Sequence, residues 1–127
     1  MAQTVTDVLC VGLDGAAMQT RRLVLEKAGL VVSQARDIRQ VQAACESNSF
    51  AVVILGHSLN PNEKKRVSDV VLTYCKSAKI LELHKGIAPD VPSADGHLQA
   101  NPTEPEALVE AVSRLLKKRR KTKAQST

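Results

Sequence analysis

The chain is predicted to fold as a single α/β domain in which helices cover both faces of a parallel sheet. Short, continuous apolar runs typical of buried strands alternate with stretches whose apolar residues repeat at helical spacing. This alternation favours a parallel sheet, because each helix returns the chain to the same end of the sheet. A length of 127 residues fits one domain with its own core.

Five segments are predicted as strands. The run from Ala51 to Leu55 is continuous and apolar, as expected for a central strand. The fourth strand is weakened by Glu82, since a carboxylate does not belong in a doubly buried strand unless it is paired. The predicted strands cover residues 8–11, 30–35, 51–55, 80–83 and 96–100.

Four helices are predicted between and after these strands. They cover residues 16–28, the segment from Ile38 to Cys45, a third segment begun near Asn62, and the stripe from Leu108 to Leu116. Arg21 lies within the apolar arc of the first helix, where only snorkelling accounts for it. Two prolines and the lack of an apolar period in residues 85–95 predict an extended crossover with at most one turn of helix.

The net charge of +5 is concentrated in the last residues of the chain. Six of the 18 basic residues lie in residues 117–127, which contain no acid, so residues 1–116 carry 12 basic and 13 acidic residues, a net charge of −1. We therefore expect a domain over residues 1–116 and a disordered basic tail over residues 117–127. The basic residues of the tail are Lys117, Lys118, Arg119, Arg120, Lys121 and Lys123.

The cysteines and the apolar runs bear on where the protein works. Cys10, Cys45 and Cys75 are far apart, odd in number and without a CxxC pair, so reduced thiols are expected rather than a disulfide framework or a zinc site. No apolar run approaches the length of a membrane span or a signal sequence. A cytoplasmic protein is expected.

Several segments resemble the receiver domain of bacterial two-component response regulators, over residues 7–117. The matching segments are the first strand, Ala28-Gly29-Leu30-Val31-Val32 with Ala35-Arg36-Asp37, Phe50 with the third strand, and Asn101-Pro102 before Glu104-Pro105-Glu106-Ala107-Leu108. The resemblance implies a flavodoxin-like, three-layer α/β/α sandwich with a five-stranded parallel sheet of order 2-1-3-4-5. In this chain the fourth helix of that fold is expected to be short or missing.

The resemblance also implies where phosphotransfer residues would lie. In receivers an acidic pair after the first strand holds Mg²⁺, an aspartate after the third accepts the phosphoryl group, a Ser or Thr follows the fourth and a Lys follows the fifth. Those positions fall here on Gly12 and Leu13, Gly56, His84 and Asn101. None matches, and Asp14 is the only carboxylate beside the first-strand end. We expect a non-enzymatic pseudo-receiver, without the phosphoacceptor aspartate and with Mg²⁺ binding lost or weak.

Such a protein is expected to act in two-component signal transduction through protein contacts. Its partner would be a signalling kinase, a receiver or a downstream target, and it would be a monomer or a homodimer. In receivers the contact face is made by the fourth helix, the fifth strand and the fifth helix. The candidate contact residues here are His97, Glu110, Arg114 and Lys118.

Two alternatives of other classes stay open. The basic tail could bind nucleic acid or another polyanion through clustered cations. A small metal or ligand site could form on Asp14, His57 and His84, because the strand ends meet at one edge of the sheet. Transfer of a phosphoryl group to His57 or Ser58, which follow Gly56, is a further alternative, although active sites more often carry paired residues.

Overall fold

The computed structural model describes residues 7–75, 77–86, 88–99 and 105–125, and within these ranges it describes the side chains from residue 8 to residue 116. Five parallel strands form one sheet of order β2-β1-β3-β4-β5. The predicted flavodoxin-like topology is confirmed. The elements, in chain order, are β1 (Asp7–Val11), α1 (Gly15–Lys27), β2 (Val31–Ala35), α2 (Ile38–Ser47), β3 (Val52–Leu55), α3 (Pro61–Tyr74), β4 (Lys79–His84), β5 (Gly96–Gln99) and α4 (Pro105–Gln125).

The sheet separates two aliphatic cores. Val41 of α2 and Val67 of α3 pack on one face, and Leu25 of α1 and Val112 of α4 pack on the other. All four residues of β3 are buried, as the continuous apolar run predicts. Full burial of one such side chain contributes about 1.5–3 kcal/mol, so these two layers supply most of the drive to fold.

Three helices begin with a capping side chain at the carboxyl end of the sheet. Asp14 accepts a hydrogen bond from the Ala17 N–H at the start of α1. Asp37 does the same for α2, and Asn60 forms a reciprocal capping box with Glu63 at the start of α3. These caps satisfy backbone donors that a helix leaves unpaired at its first turn.

The crossover between β4 and β5 contains no helix among its described residues, which are 85, 86 and 88–95. The predicted extended crossover is confirmed. Side chains and backbone groups from α3 and β4 replace the missing helix as its support. Asp95, just before β5, accepts a hydrogen bond of 2.8 Å from the Ile80 N–H.

The main support of this crossover is a buried ion pair between Lys64 and Glu82. The side chain of Lys64 on α3 is 1% exposed and that of Glu82 on β4 is 0% exposed. Lys64 Nζ donates hydrogen bonds of 2.9 Å to a Glu82 carboxylate oxygen, to the Leu83 carbonyl and to the Asp90 carboxylate. An ammonium has three donors, and all three are satisfied here.

Glu82 binds the crossover directly as well. Its Oε2 accepts a hydrogen bond from the Asp90 N–H, and its Oε1 accepts one from the Val91 N–H. Burial alone would raise the pKa of Glu82, but the hydrogen bonds from Lys64, Asp90 and Val91 outweigh it and lower that pKa. The stability that this carboxylate contributes is therefore present above its ordinary pKa of about 4.3 and is lost as the pH falls through the lower folded value.

A disulfide joins Cys45 near the end of α2 to Cys75 after α3, with their Cα atoms 5.4 Å apart. The expectation of three reduced thiols is therefore wrong for this pair. Packing of α2 on α3 brings the two residues together, although 30 positions separate them in the chain. Cys10 is a free thiol buried in β1, and burial raises its pKa to about 12, while Arg21 opposes the shift.

The last helix extends beyond the expected end of the domain. α4 runs from Pro105 to Gln125, so its backbone continues as helix through the basic segment after Leu116. Nothing in residues 117–125 breaks a helix, since the segment has neither glycine nor proline. The disordered state predicted for residues 117–127 stays a prediction. The boundary of the domain at residue 116 stays a prediction.

Replacing Lys64 by Met should lower the free energy of unfolding by about 3–5 kcal/mol, because the Glu82 carboxylate is left buried without a cation. Urea unfolding of the variant measures the loss. The double variant Lys64→Met with Glu82→Leu should lose less than the sum of the two single variants. The control is Arg114→Ala, which removes an ion pair whose side chains are 75% and 66% exposed and should cost less than about 1 kcal/mol. Equal losses for Lys64→Met and Arg114→Ala would contradict this role.

Reduction of the disulfide between Cys45 and Cys75 should destabilise the fold by about 2–4 kcal/mol, because the reduced unfolded chain regains the freedom that the closed loop removes. Thermal unfolding with and without a phosphine reductant measures this. Cys75→Ser should abolish the effect of the reductant, and Cys10→Ala should leave it intact. Alkylation under denaturing, non-reducing conditions should label one thiol in the wild type, and three labelled thiols would contradict the bond.

Candidate functional site

The carboxyl ends of β1 and β3 meet in a compact cluster of loops rather than an open acidic pocket. Ser58 Oγ accepts hydrogen bonds from the backbone N–H groups of Leu13 and Asp14, at 2.8 and 3.2 Å. A Cβ atom at Gly12 would lie 3.0 Å from the sulfur of Met18 and 3.3 Å from Ser58 Oγ. The space into which a side chain at position 12 would extend is thus filled by Met18 and Ser58.

Gly56, directly after β3, is enclosed in the same way. A Cβ atom there would lie 2.9 Å from the carbonyl oxygen of Val11 and 3.1 Å from a guanidinium nitrogen of Arg21. The Val11 carbonyl is fixed because it accepts a hydrogen bond of 2.7 Å from the Gly56 N–H. The backbone conformation described here therefore leaves no room for a side chain at this position without a local shift.

Arg21 brings a positive charge to this end of the sheet. Burial lowers the pKa of its guanidinium, and the neighbouring groups Cys10 and Asp14 oppose that shift. Arg21 lies in the apolar arc of α1 because its guanidinium group packs against Gly56 in the loop after β3. The sequence signal for this contact was a charged residue within the apolar arc of a helix.

The residues at this edge do not fit Mg²⁺. Asp14 is the only carboxylate of the predicted set, and its Oδ1 accepts the capping hydrogen bond from the Ala17 N–H. Gly12 and Gly56 have no ligand atoms in a side chain, and Leu13 is apolar. Across the described ranges, no three His, Cys, Asp or Glu side chains come together as a metal site. Asn101, the remaining predicted position, lies outside the described residues.

His57 lies beside Gly56 among cations. Its Nδ1 is buried and has no hydrogen-bond partner among the described residues. Burial lowers the pKa of His57, and the positive charges of Arg21, Lys85 and Lys64 lower it further, against an opposing contribution from Asp14. The ring is therefore neutral at pH 7.

His84 and His97 both bind the crossover. Nδ1 of His84 donates to the Gly86 carbonyl at 2.7 Å, and Nε2 of His97 donates to the Val91 carbonyl at 2.8 Å. The two rings are 6.5 Å apart between centroids, and Nε2 of His97 is 3.7 Å from Glu82. His84 is thus a neighbour of His97, and its Nδ1 is engaged by a backbone carbonyl rather than aimed at a metal.

The face predicted to contact a partner contains a groove between β5 and α4. Its volume is about 390 Å³, and it is lined by His97, Asp95, Leu98, Glu110 and Arg114, among others. Glu110 and Arg114 form an exposed ion pair of 3.2 Å. Three of the four predicted contact residues therefore lie around one groove. The side chains of the fourth, Lys118, and of the other basic tail residues are outside the part of the chain described.

Several solved structures share this fold. The chemotaxis response regulator CheY4 of Vibrio cholerae is 26% identical with a TM-score of 0.76, over 89% of this chain and 100% of that chain. A CheY-like receiver domain protein from Methanospirillum hungatei is 18% identical with a TM-score of 0.81, over 94% and 99%. An adenylate cyclase structure from Rhodopirellula baltica is 14% identical with a TM-score of 0.81, over 97% and 96%. The last two show the fold alone.

The chain therefore has the fold of CheY-like response regulator receiver domains. No family model and no curated protein matches the sequence. None of the described helices is both long and apolar enough to span a membrane.

Sequence reasoning missed Lys64, although a signal for it was present. Lys64, Val67, Ser68 and Val71 are the buried residues of α3 and follow helical spacing. A lysine at the start of an apolar stripe, together with a glutamate in the fourth strand that needs a partner if it is buried, would have pointed to the pair.

Arg21→Gln should raise the pKa of His57, because it removes a positive charge that disfavours the imidazolium. NMR titration of the ring protons measures the pKa in both proteins. Arg22→Gln is the matched control, since Arg22 is exposed and pairs with Glu26 on the same helix. A wild-type pKa above the ordinary histidine value, or equal effects of the two variants, would contradict the geometry.

Proposed function

We propose that this protein is a receiver-like docking module of two-component signalling that is not phosphorylated on aspartate and acts through protein contacts. The similarity to receiver domains supports the signalling context. The enclosure of Gly56 by the Val11 carbonyl and Arg21 supports the loss of phosphorylation. In this proposal the protein catalyses no reaction, and its Mg²⁺ binding is lost or weak.

The observation that carries the proposal is the ion pair of Lys64 and Glu82 under the crossover. It fixes the surface next to β5 through hydrogen bonds to Asp90 and Val91, without a phosphoryl group. A surface held by these contacts would need no phosphoryl group to reach its binding conformation. The module would thus imitate one state of a receiver, or compete with a receiver for its kinase or target.

The groove between β5 and α4 is the proposed contact surface. Its exposed charges, Glu110 and Arg114, and its apolar floor, which includes Leu81 and Leu115, give the polar rim and apolar centre typical of protein interfaces. Binding of a polyanion by the basic tail stays an untested alternative, as does a small metal or ligand site on Asp14, His57 and His84. A cytoplasmic location stays a prediction.

Incubation with acetyl phosphate and Mg²⁺ tests the first part of the proposal. Intact-mass spectrometry should show no phosphoryl adduct, because no carboxylate follows β3. CheY4 of Vibrio cholerae, treated in parallel, is the control for an active phosphodonor. A stable adduct of one phosphoryl group on this protein would overturn the proposal, and peptide mapping would show whether His57 or Ser58 carries it.

Site-specific photocrosslinking tests the docking surface. A photoreactive residue at position 110 or 114 should capture a histidine kinase, a receiver protein or a receiver target from extracts of the source organism. The same residue at Lys65, exposed on α3, is the control position. Purified candidates should lose at least about tenfold in affinity for the double charge reversal Glu110→Arg with Arg114→Glu. Unchanged affinity, or equal capture at position 65, would contradict this surface.

A further inference from the structure

A second cavity, separate from the groove beside β5, lies outside the carboxyl ends of β1 and β2. Its volume is about 440 Å³. It is bounded by the end of β1 with Leu13, by residues 36–39 at the junction of β2 and α2, and by Leu59 with the first turns of α3. In open α/β sheets, ligands bind in crevices at the carboxyl ends of the strands. The volume falls within the range of small-molecule sites.

Three arginines surround this cavity. Arg36, Arg39 and Arg66 line it and are exposed. Their guanidinium groups form no ion pair or hydrogen bond within the described part of the chain. Three unpaired guanidinium groups around one concave surface are a strong site for an anion, because each offers a planar fork of donors.

The two carboxylates that line the cavity, Asp37 and Glu63, cap helices. Asp37 accepts a hydrogen bond of 2.9 Å from the Gln40 N–H as the cap of α2. Glu63 accepts a hydrogen bond of 2.9 Å from the Asn60 N–H in the capping box of α3. They neither pair with the arginines nor offset all of the positive charge, and the lining keeps a net charge of +1.

The rest of the lining is apolar. Leu13 is a large apolar residue that is 45% exposed in the loop after β1. Ile38 and Leu59 lie in the same lining. A small inorganic anion would leave this surface uncovered. A flat organic group next to an anion would cover it and would also stack on guanidinium planes.

We propose that the cavity bounded by Leu13, Ile38, Leu59 and the arginines 36, 39 and 66 binds a small organic phosphate of the nucleoside monophosphate class. The arginines hold the phosphate, and the apolar residues contact the base. The edge of the sheet that holds a cation in receivers would thus hold an anion in this protein. The site shares no residue with the groove beside β5, so the two proposals can be tested independently.

Isothermal titration of the full chain with the four common nucleoside monophosphates tests this site. At least one of them should bind saturably, and about tenfold or more tightly than inorganic phosphate, ribose 5-phosphate or the matching nucleoside. The first two of these controls lack the base, and the nucleoside lacks the phosphate. Arg39→Gln and Arg66→Gln should each weaken binding about tenfold, as expected for loss of a charge-assisted hydrogen bond. All of these residues are exposed, so the variants should fold, and circular dichroism checks this.

Arg114→Gln, in the other groove, is the control and should leave the affinity within about twofold. The proposal is overturned if no nucleotide binds more tightly than inorganic phosphate, or if Arg114→Gln weakens binding as much as Arg39→Gln. It is also overturned if an acidic peptide or an RNA oligonucleotide binds the same arginines more tightly than any mononucleotide. Either result would assign the cavity to a macromolecular partner.

Discussion

The buried contact between Lys64 and Glu82 determines how this molecule departs from the fold it shares with receiver domains. A buried ion pair adds little net stability over an apolar pair of the same size, but breaking it leaves a buried charge, so it enforces one arrangement. Here that arrangement joins α3, β4 and the crossover, since Lys64 also binds Asp90. A crossover that has lost its helix is thereby held against the sheet.

The carboxyl edge of the sheet also depends on a few contacts between elements. Ser58 bridges two loops through backbone N–H groups, and Arg21 packs over Gly56. Each contact occupies a place where, by the resemblance, an acid would stand. By the resemblance, this edge has fewer carboxylates than the phosphorylation site of a receiver, and three exposed arginines line the cavity beside it.

The strands, the helices and the extended crossover could be predicted from the sequence because apolar periodicity and proline act locally. The order of the strands was implied by the resemblance to receiver domains. The sequence also indicated that a buried Glu82 needs a partner, but it could not identify Lys64, which lies 18 positions away on a different element. The disulfide between Cys45 and Cys75 was not predicted for the same reason, since only the packing of α2 on α3 brings the two cysteines together. Contacts between elements require the tertiary structure, and most of the candidate site consists of such contacts.

The three partners Lys64, Glu82 and Asp90 also carry information about ancestry. Loss of Lys64 leaves two carboxylates without a cation, and loss of either carboxylate removes one of the two counter-charges of Lys64, so evolution is expected to keep or replace them together. A lysine on the third helix, a glutamate in the fourth strand and an aspartate eight residues further on form a pattern by which distant relatives could be recognised in genome sequences.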